Sequence, residues 1–414
     1  MKILAIETSC DETSIAVIGI SGSKKRPRFR VLSHLVATQI ELHAAFGGVV
    51  PNLAKREHQR LLVPLLLRAL KEAGLYCPPL SFQRKPESRP SVFVKRLDSR
   101  FRGNDRIGNV LIQSKELLAR ESELFVEFEK KIFPLAIPDI DAIAVTNGPG
   151  LAPALWVGIN FAKALSLLWK KPIIPMNHMK GHLYAAFIQD AVKVSQEIRF
   201  PAVRFPAIAL LVSGGHTELV LMKRFGSYQI IGETQDDAAG EAFDKVARML
   251  KLGYPGGPAI ATEAANSQQP TAKIKLPRPM MNSNNFNFSF SGLKTAVLYT
   301  LRDLPKKISI VSVRPAIAKE FQDAVVDVLA AKTIRAAKQY GARTIAVGGG
   351  VSANQLLRKR LAQEVSKLEN VSLYMPDHSL TGDNALMIAL AAAIDGKKKA
   401  PKSIGAEANM RVDH

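Results

Sequence analysis

An α/β protein of two similar lobes is predicted by three features of the sequence. The opening "KILAIETSCDETSIAVIGI" reads as strand, polar turn, strand, with residues 3–6 and 14–18 as its apolar arms. About 200 residues later "PAIALLVSGGHTELVLM" repeats the plan, with arms at 208–212 and 219–222 around a turn at 213–217. In "RTIAVGGGVSANQLLRKRL" a strand at 344–347 meets a glycine run, and a helix opens near Ser352. Two unrelated hairpins would show the same pattern, and the short repeat does not choose between the two.

The first lobe is expected over residues 1–205. Pro201 and Pro206 mark its end. Within it, residues 81–109 are rich in Arg, Ser and Gly and lack apolar periodicity, which predicts a surface insertion. "KELLARESELFVEFEKKI" follows as an amphipathic helix with Leu117, Leu118, Leu124, Phe125 and Phe128 on its apolar side. The second lobe is expected over 206–385, a return helix over 386–398, and a disordered basic tail over 399–414.

The 414 residues carry 57 Lys and Arg against 36 Asp and Glu, a net charge of +21, which favours a polyanionic partner such as nucleic acid. A basic surface that only aids solubility is the alternative. Hydrophobic content of 47% excludes a disordered chain. Two cysteines, Cys10 and Cys77, cannot build a disulfide framework. Glu7 ends the first apolar run too early for a signal peptide, and no apolar stretch is expected to reach the roughly 18 residues of a membrane span. A cytoplasmic protein with no membrane partner is therefore expected.

"NHMKGHLYAAF" places His178 and His182 four apart, on one helix face, where two imidazoles can share a metal. A zincin protease would need glutamate at 179, which is Met179. Two polar residues on an ordinary helix face fit the spacing equally. "PDHSLTGDNALMIALAAA" offers Asp377, His378 and Asp383 as a third ligand, although Asp383 could equally cap the apolar helix after it. Glycine turns in "VSGGHTE" and "VGGGVSAN" can present amides to a phosphate, or be plain turns; neither is a Walker loop. Asp237, Glu241 and Asp244 share a helical face that could hold a ribose diol or a metal, or be solvated beside Lys245 and Arg248. His43 and His58, near a Gly-Gly pair, read as structural.

Taken together, "IETSCDET", "GGVVP" with "REH", "GPGL", "NHMKGH", "LVSGGHTEL", "DDAAGEAFDKVARML", "YPGGP", "FSFSGLKTAV", "GGGVSAN" and "GDNALMIA" follow one another in an order that resembles the TsaD/Gcp (Kae-type) family of tRNA N6-adenosine threonylcarbamoyltransferases. The resemblance implies a two-lobed actin-like (ASKHA) ATPase fold shared with sugar kinases and Hsp70. It implies one metal, usually Fe2+ and sometimes Zn2+, on His178, His182 and Asp383. It further implies a threonylcarbamoyl-AMP site formed by Leu211, Val212, Ser213, Gly214, Gly215, Asp244, Gly257 and Asn354, with tRNA as acceptor. Asp11 and Glu12 are candidates for the base. The implied partners are a TsaB-like paralogue and a TsaE-like ATPase.

Two positions depart from the family pattern. Asn52 stands where glutamate is usual and Pro153 where glycine is usual. The insertion, about 77–134, has no expected counterpart. Its basic side chains (Arg84, Lys85, Arg89, Lys95, Arg96, Arg100, Arg102 and Arg106) either add RNA affinity or are neutral. The same fold would also suit a non-catalytic partner subunit, an ATP-driven kinase or chaperone, or the endopeptidase of an older assignment. The metal histidines argue against the first, and the missing glutamate at 179 against the last.

Overall fold

The computed structural model describes residues 1–23, 26–78, 104–190, 192–267, 274–305 and 307–413. The basic stretch from Arg84 to Arg102 and the side chain of Arg106 lie outside the described residues.

Strands β1 (Lys2–Glu7), β2 (Glu12–Ser23), β3 (Arg26–Thr38), β4 (Ala142–Gly148), β5 (Ile173–Asn177) and β6 (Glu197–Arg199) form the first sheet, in the order β5-β4-β1-β2-β3-β6. Strands β7 (Ala207–Val212), β8 (Thr217–Arg224), β9 (Ser227–Glu233), β10 (Thr344–Gly348) and β11 (Ser372–Tyr374) form the second, in the order β11-β10-β7-β8-β9. Five strands of each sheet superpose in order and in sense. β1 pairs antiparallel with β2 and parallel with β4, and β7 does the same with β8 and β10. The repeat read in the sequence is therefore a duplicated lobe, and the arrangement is the actin-like α/β fold. β4 and β7 are buried along their whole length, as continuous apolar runs in parallel pairing require.

Helices cover both sheets. Pro51–Glu72 and Ala152–Trp169 bury Leu62, Leu66, Phe161 and Leu165 against one face of the first sheet. The return helix, Ala385–Asp395, covers the other face, with Leu386, Ile388 and Leu390 against Ile3, Ala5 and Ile18. On the second sheet, Ala239–Met249, Gly256–Ala265, Ser291–Arg302 and Ile310–Gln339 pack one face. The opposite face receives Met179, Leu183 and Phe187 from the short helix His178–Ala185 and the turn after it. That helix also places Tyr184 in the first-lobe core, so it is the shared wall of the two lobes.

Several expectations need correction. The segment before β4 is not one amphipathic helix. It is Asn104–Leu117, Ser122–Glu127 and a wider turn at Phe128–Ile132, with Leu118, Leu124 and Phe128 buried and Leu117 and Phe125 only half-buried. Ala152–Trp169 does reach the length and apolarity of a membrane span, but 67% of it is buried within the protein, against β4 and its neighbours. Pro153 lies in its first turn, where the ring costs no hydrogen bond. The tail is not disordered: backbone bonds run from Lys399 N to Ile173 O (2.9 Å) and from Glu407 N to Asn147 O (2.8 Å), and Val412 is fully buried. Its composition is polar because it binds through its backbone.

Lys332 is buried in the second lobe without a carboxylate partner among the described residues. Its ammonium donates to Ser283 Oγ (2.9 Å), Asn285 O (3.2 Å) and Asn287 O (2.5 Å), and so pins the loop before Ser291–Arg302. Burial, and Arg335 beside it, pull its pKa down to about 8. Replacing it by methionine removes these three bonds and takes from the Asn287 carbonyl its donor among the described residues, while Arg335 still reaches Asn285 O; the cost is expected to be about 2 kcal/mol at neutral pH. Between about 8 and 10.5 the unfolded chain holds the proton that the folded one releases, so the parent gains on the Lys332→Met variant as pH rises through that window. Urea unfolding at both ends of the window checks this; a stability gap that narrows with rising pH contradicts it.

Candidate active site at the lobe seam

The parallel strands of each sheet end on one edge, and ligands of open α/β sheets bind outside such carboxyl ends. At that edge β5 passes directly into the helix His178–Ala185. Asn177 caps the helix, its Oδ1 accepting from Lys180 N at 3.1 Å. The two imidazoles one turn apart lie with ring centroids 4.7 Å apart and nearly perpendicular planes. Asp383 precedes the return helix, but the cap of that helix is Asn384, whose Oδ1 accepts from Met387 N at 3.0 Å. Asp383 is thereby free, and its Oδ1 stands 3.3 Å from His178 Nε2 and 3.1 Å from His182 Nε2. The three donor atoms lie within 4.8 Å of one another. Around a tetrahedral ion with bonds near 2.0–2.1 Å, donor atoms stand about 3.3 Å apart, so this set fits a metal.

The charge arrangement fits as well. Glu7, at the end of β1, is fully buried; its Oε1 accepts from Ser9 N (2.6 Å), and its Oε2 accepts from Thr146 Oγ1 and stands 3.3 Å from His178 Nδ1. Burial opposes charge on His178, yet Asp383 and Glu7 on either side raise its pKa well above the usual histidine range. Burial likewise opposes charge on Glu7 and Asp383, and the His178 imidazolium holds both carboxyls below their ordinary values. Burial keeps His182 neutral, as a ligand must be. The buried Glu7 and the half-buried Asp383 thus hold a positive charge between them, which a proton or a cation can supply. Glu7 orients the first histidine from behind, a role that sequence reasoning missed because Glu7 read only as the end of an apolar run. The usable signal was a carboxylate closing a fully buried strand.

Asp11 lies in the β1–β2 turn and Glu12 opens β2. Burial raises both pKa values. Glu12 is pushed up to about 10, with Asp383 and Asp11 adding to burial, so it is protonated at neutral pH in the absence of a nearby cation. His43 and His58 are structural, as expected. His58 bridges Thr13 Oγ1 (2.8 Å) and Cys10 O (3.0 Å), and His43 meets Gln39 Oε1 (3.2 Å), so together they brace this turn.

The second lobe presents the turn 213–217 to the cluster. His216 feels the charges of His178, His182 and Asp383, and burial lowers its pKa to about 4. The turn closes through Ser213 N to His216 O (2.8 Å) and His216 N to Ser213 Oγ (3.2 Å). Gly214 and Gly215 are exposed there, and a Cβ on either would meet nothing within 4 Å. Leu211 and Val212 are buried in the two cores flanking β7; they launch the turn, and their side chains are not on its surface. Asp244 accepts from Gly256 N (2.7 Å), next to the open Gly257. Asn354 caps Gln355–Val365 by accepting from Leu357 N (3.0 Å) and donates to Gln322 Oε1 (2.8 Å). The acidic face expected of Asp237, Glu241 and Asp244 does not form. Asp237 precedes the helix and binds Lys245 and Lys294 (2.8 Å each), and Glu241 pairs with Lys245 at 2.7 Å. Asp377 and His378 lie apart from the cluster; Asp377 caps its own short turn through Ser379 N (3.0 Å), and His378 meets Gln355. Asn52 is exposed in the first turn of its helix.

Further contacts join the lobes. Gly348, at the end of β10, packs so closely on His182 that an added Cβ would lie 2.6 Å from its carbonyl oxygen. Arg248 donates to the carbonyl of Gly47 across the mouth of the cleft.

Fold and site together define a two-lobed actin-like protein with a His/His/Asp cluster, able to hold a metal, where its lobes meet. A sequence model of the family TsaD, tRNA N6-adenosine threonylcarbamoyltransferase, matches residues 30–81 and 125–390, and the chain belongs to that family. The chain is 40% identical over 412 residues to the tRNA N6-adenosine threonylcarbamoyltransferase of Thermosipho africanus, covering 100% of this chain and 98% of the relative. With the Bacillus subtilis enzyme of that name it shares 39% over 399 residues, covering 96% and 91%. Among solved structures, the ROK hexokinase of Thermus thermophilus aligns over 96% of this chain and 98% of its own, at 12% identity and TM-score 0.40. The unmatched stretch, 82–124, is narrower than the insertion expected at about 77–134.

Glu7→Gln keeps the size of the side chain and removes the charge behind His178. Metal affinity is expected to fall about tenfold to a hundredfold with the fold intact. Competition for Zn2+ against a chelating dye measures it, and an unchanged affinity removes Glu7 from the site.

Proposed function

We propose that this chain transfers the threonylcarbamoyl group of threonylcarbamoyl-AMP to N6 of adenosine 37 in tRNAs reading codons that begin with adenine, and releases AMP. The observation that carries the reading is the convergence of His178, His182 and Asp383 beside a turn whose glycines face open space. His178, His182 and Asp383 would hold the ion. Two imidazoles and one carboxylate suit Fe2+, and also Zn2+. When bound, it would supply Lewis acidity for a carbonyl or phosphoryl oxygen.

The donor is a mixed anhydride. The exocyclic amine attacks its carbonyl carbon, the bond from that carbon to the phosphate oxygen breaks, and AMP leaves with the electron pair. Backbone amides of Ser213, Gly214 and Gly215 would hold the phosphate, and Asp244 and the Gly257 backbone the ribose. Asn354 would contribute by fixing the start of its helix rather than by a free side chain. The amine proton would pass to Asp11 or Glu12; Glu12 can act only where a cation at the cluster draws its pKa down. Holding two poor reactants in line would provide much of the rate. By family resemblance, a smaller TsaB-like paralogue and a TsaE-like ATPase would complete the system, and the tRNA substrate favours a cytoplasmic setting.

The test supplies partner, adenylate and unmodified tRNA to the parent and to His178→Ala, His182→Ala and Asp383→Asn. Transfer by the variants is expected to fall roughly a hundredfold or more. Full transfer by all three removes the metal reading.

A second expectation separates binding from stability. Because a Cβ at Gly214 or Gly257 meets no protein atom, alanine at either leaves the thermal midpoint unchanged. It is expected to raise the KM for the adenylate about tenfold, or about 1.4 kcal/mol. A KM unchanged in both variants places the adenylate elsewhere.

A further inference from the structure

The polar C-terminal segment beyond the family match, which ends at 390, follows a defined path. After Lys399 pairs with Ile173 it rises along the first lobe to the strand ends. Glu407 N donates to Asn147 O (2.8 Å), and Gly150 N donates to Ala408 O (3.1 Å). The approach is so close that a Cβ on Gly148 would lie 2.1 Å from Glu407 O. Asn177 Nδ2 then donates to Arg411 O at 3.0 Å. Val412 is fully buried among Met179, Leu183, Leu211 and Val220, between the short helix and the second sheet. The segment ends on β9, where Arg411 pairs with Glu233 Oε2 (3.2 Å) and Asp413 Oδ2 accepts from Ile230 N (3.5 Å).

Two of these contacts flank His178. Asn177 caps the helix with one end of its amide, and Arg411 O holds the other end, so the tail fixes the orientation of the cap. Met179, the residue after the ligand, packs with Val412. On the second lobe Arg411 supplies positive charge beside Glu233 and the buried Glu218, whose Oε2 has no hydrogen-bond partner among the described residues.

We infer that residues 405–413 are a strap that sets the metal-ligand helix between the two lobes, with Asn177, Arg411 and Val412 as positioning residues of the site. The inference rests on the reading of His178 and His182 as ligands. The strap contacts themselves stand without it.

Two variants test it in the full-length protein. Val412→Ala opens a gap against Met179 and Leu183. Asn177→Asp keeps the capping oxygen and removes the donor to Arg411. Both are expected to weaken Zn2+ binding about tenfold in chelator competition, as loss of an outer contact does, with Val412→Ile restoring it. In the metal-free protein, amide exchange over 179–185 is expected to quicken, while exchange over 357–365 stays at the parent rate. That second readout does not depend on the enzymatic reading. Metal affinity within twofold of the parent in both variants overturns the strap, as does exchange that quickens equally in the two helices.

Discussion

The structure depends on a buried positive charge held between two carboxylates. Glu7, which closes β1, is fully buried, and Asp383, which precedes the return helix, is half-buried. Each would be costly alone, and truncating one partner of such a set leaves the other charge uncompensated. His178 between them makes both tolerable. The chain order of the fold follows from this. The polypeptide must leave the first lobe, complete the second, and come back to the first to deliver Asp383. The apolar run 385–392 gives the return helix its own reason to do so, by covering the first sheet's open face.

The duplicated sheets explain why the site lies where it does. Each lobe ends its parallel strands on the same edge, so a two-lobed chain brings two sets of strand ends face to face. The first set carries the ion-binding groups and the second the glycine turn. The helix His178–Ala185 is wall to both, and Gly348 lets β10 touch His182 directly. A displacement of one lobe against the other is therefore felt at His182 through packed backbone.

Much of this was legible in the sequence, and the remainder was hidden for identifiable reasons. The strand arms around both turns could be read because they are apolar runs bounded by glycine and polar residues. The histidine pair could be read because helical spacing is rigid. Asp383 was ambiguous from sequence alone because an aspartate before an apolar helix is usually its cap; Asn384 takes that role, one residue later. Glu7 was invisible because its partner lies 171 residues away. Asp237 was placed on the wrong face because the helix begins only at Ala239, and two lysines claim the carboxylate. The tail was misjudged because composition reports side chains, whereas it is held by backbone amides and carbonyls and by the buried Ile404 and Val412.

Glycines separate what the fold needs from what the ligand needs. Gly148, Gly150, Gly240, Gly256, Gly348 and Gly349 each lie where a Cβ would strike backbone, so packing alone explains them. Gly214, Gly215, Gly257, Gly350 and Gly382 have no such neighbour and no left-handed φ. Openness by itself is not diagnostic, since Gly108, in the helix Asn104–Leu117, shares it. Among the five, Gly214 and Gly215 lie in the turn that faces the cluster, and Gly382 directly precedes Asp383. A side chain there would meet nothing in the fold, so packing does not explain these glycines, whereas the proposed adenylate would. An acyl-adenylate with a tRNA adenosine approaching it is large, flat and anionic, and it needs backbone amides to come close without intervening side chains. The same absence of side chains that removes packing energy from the seam leaves its amides free to meet a phosphate.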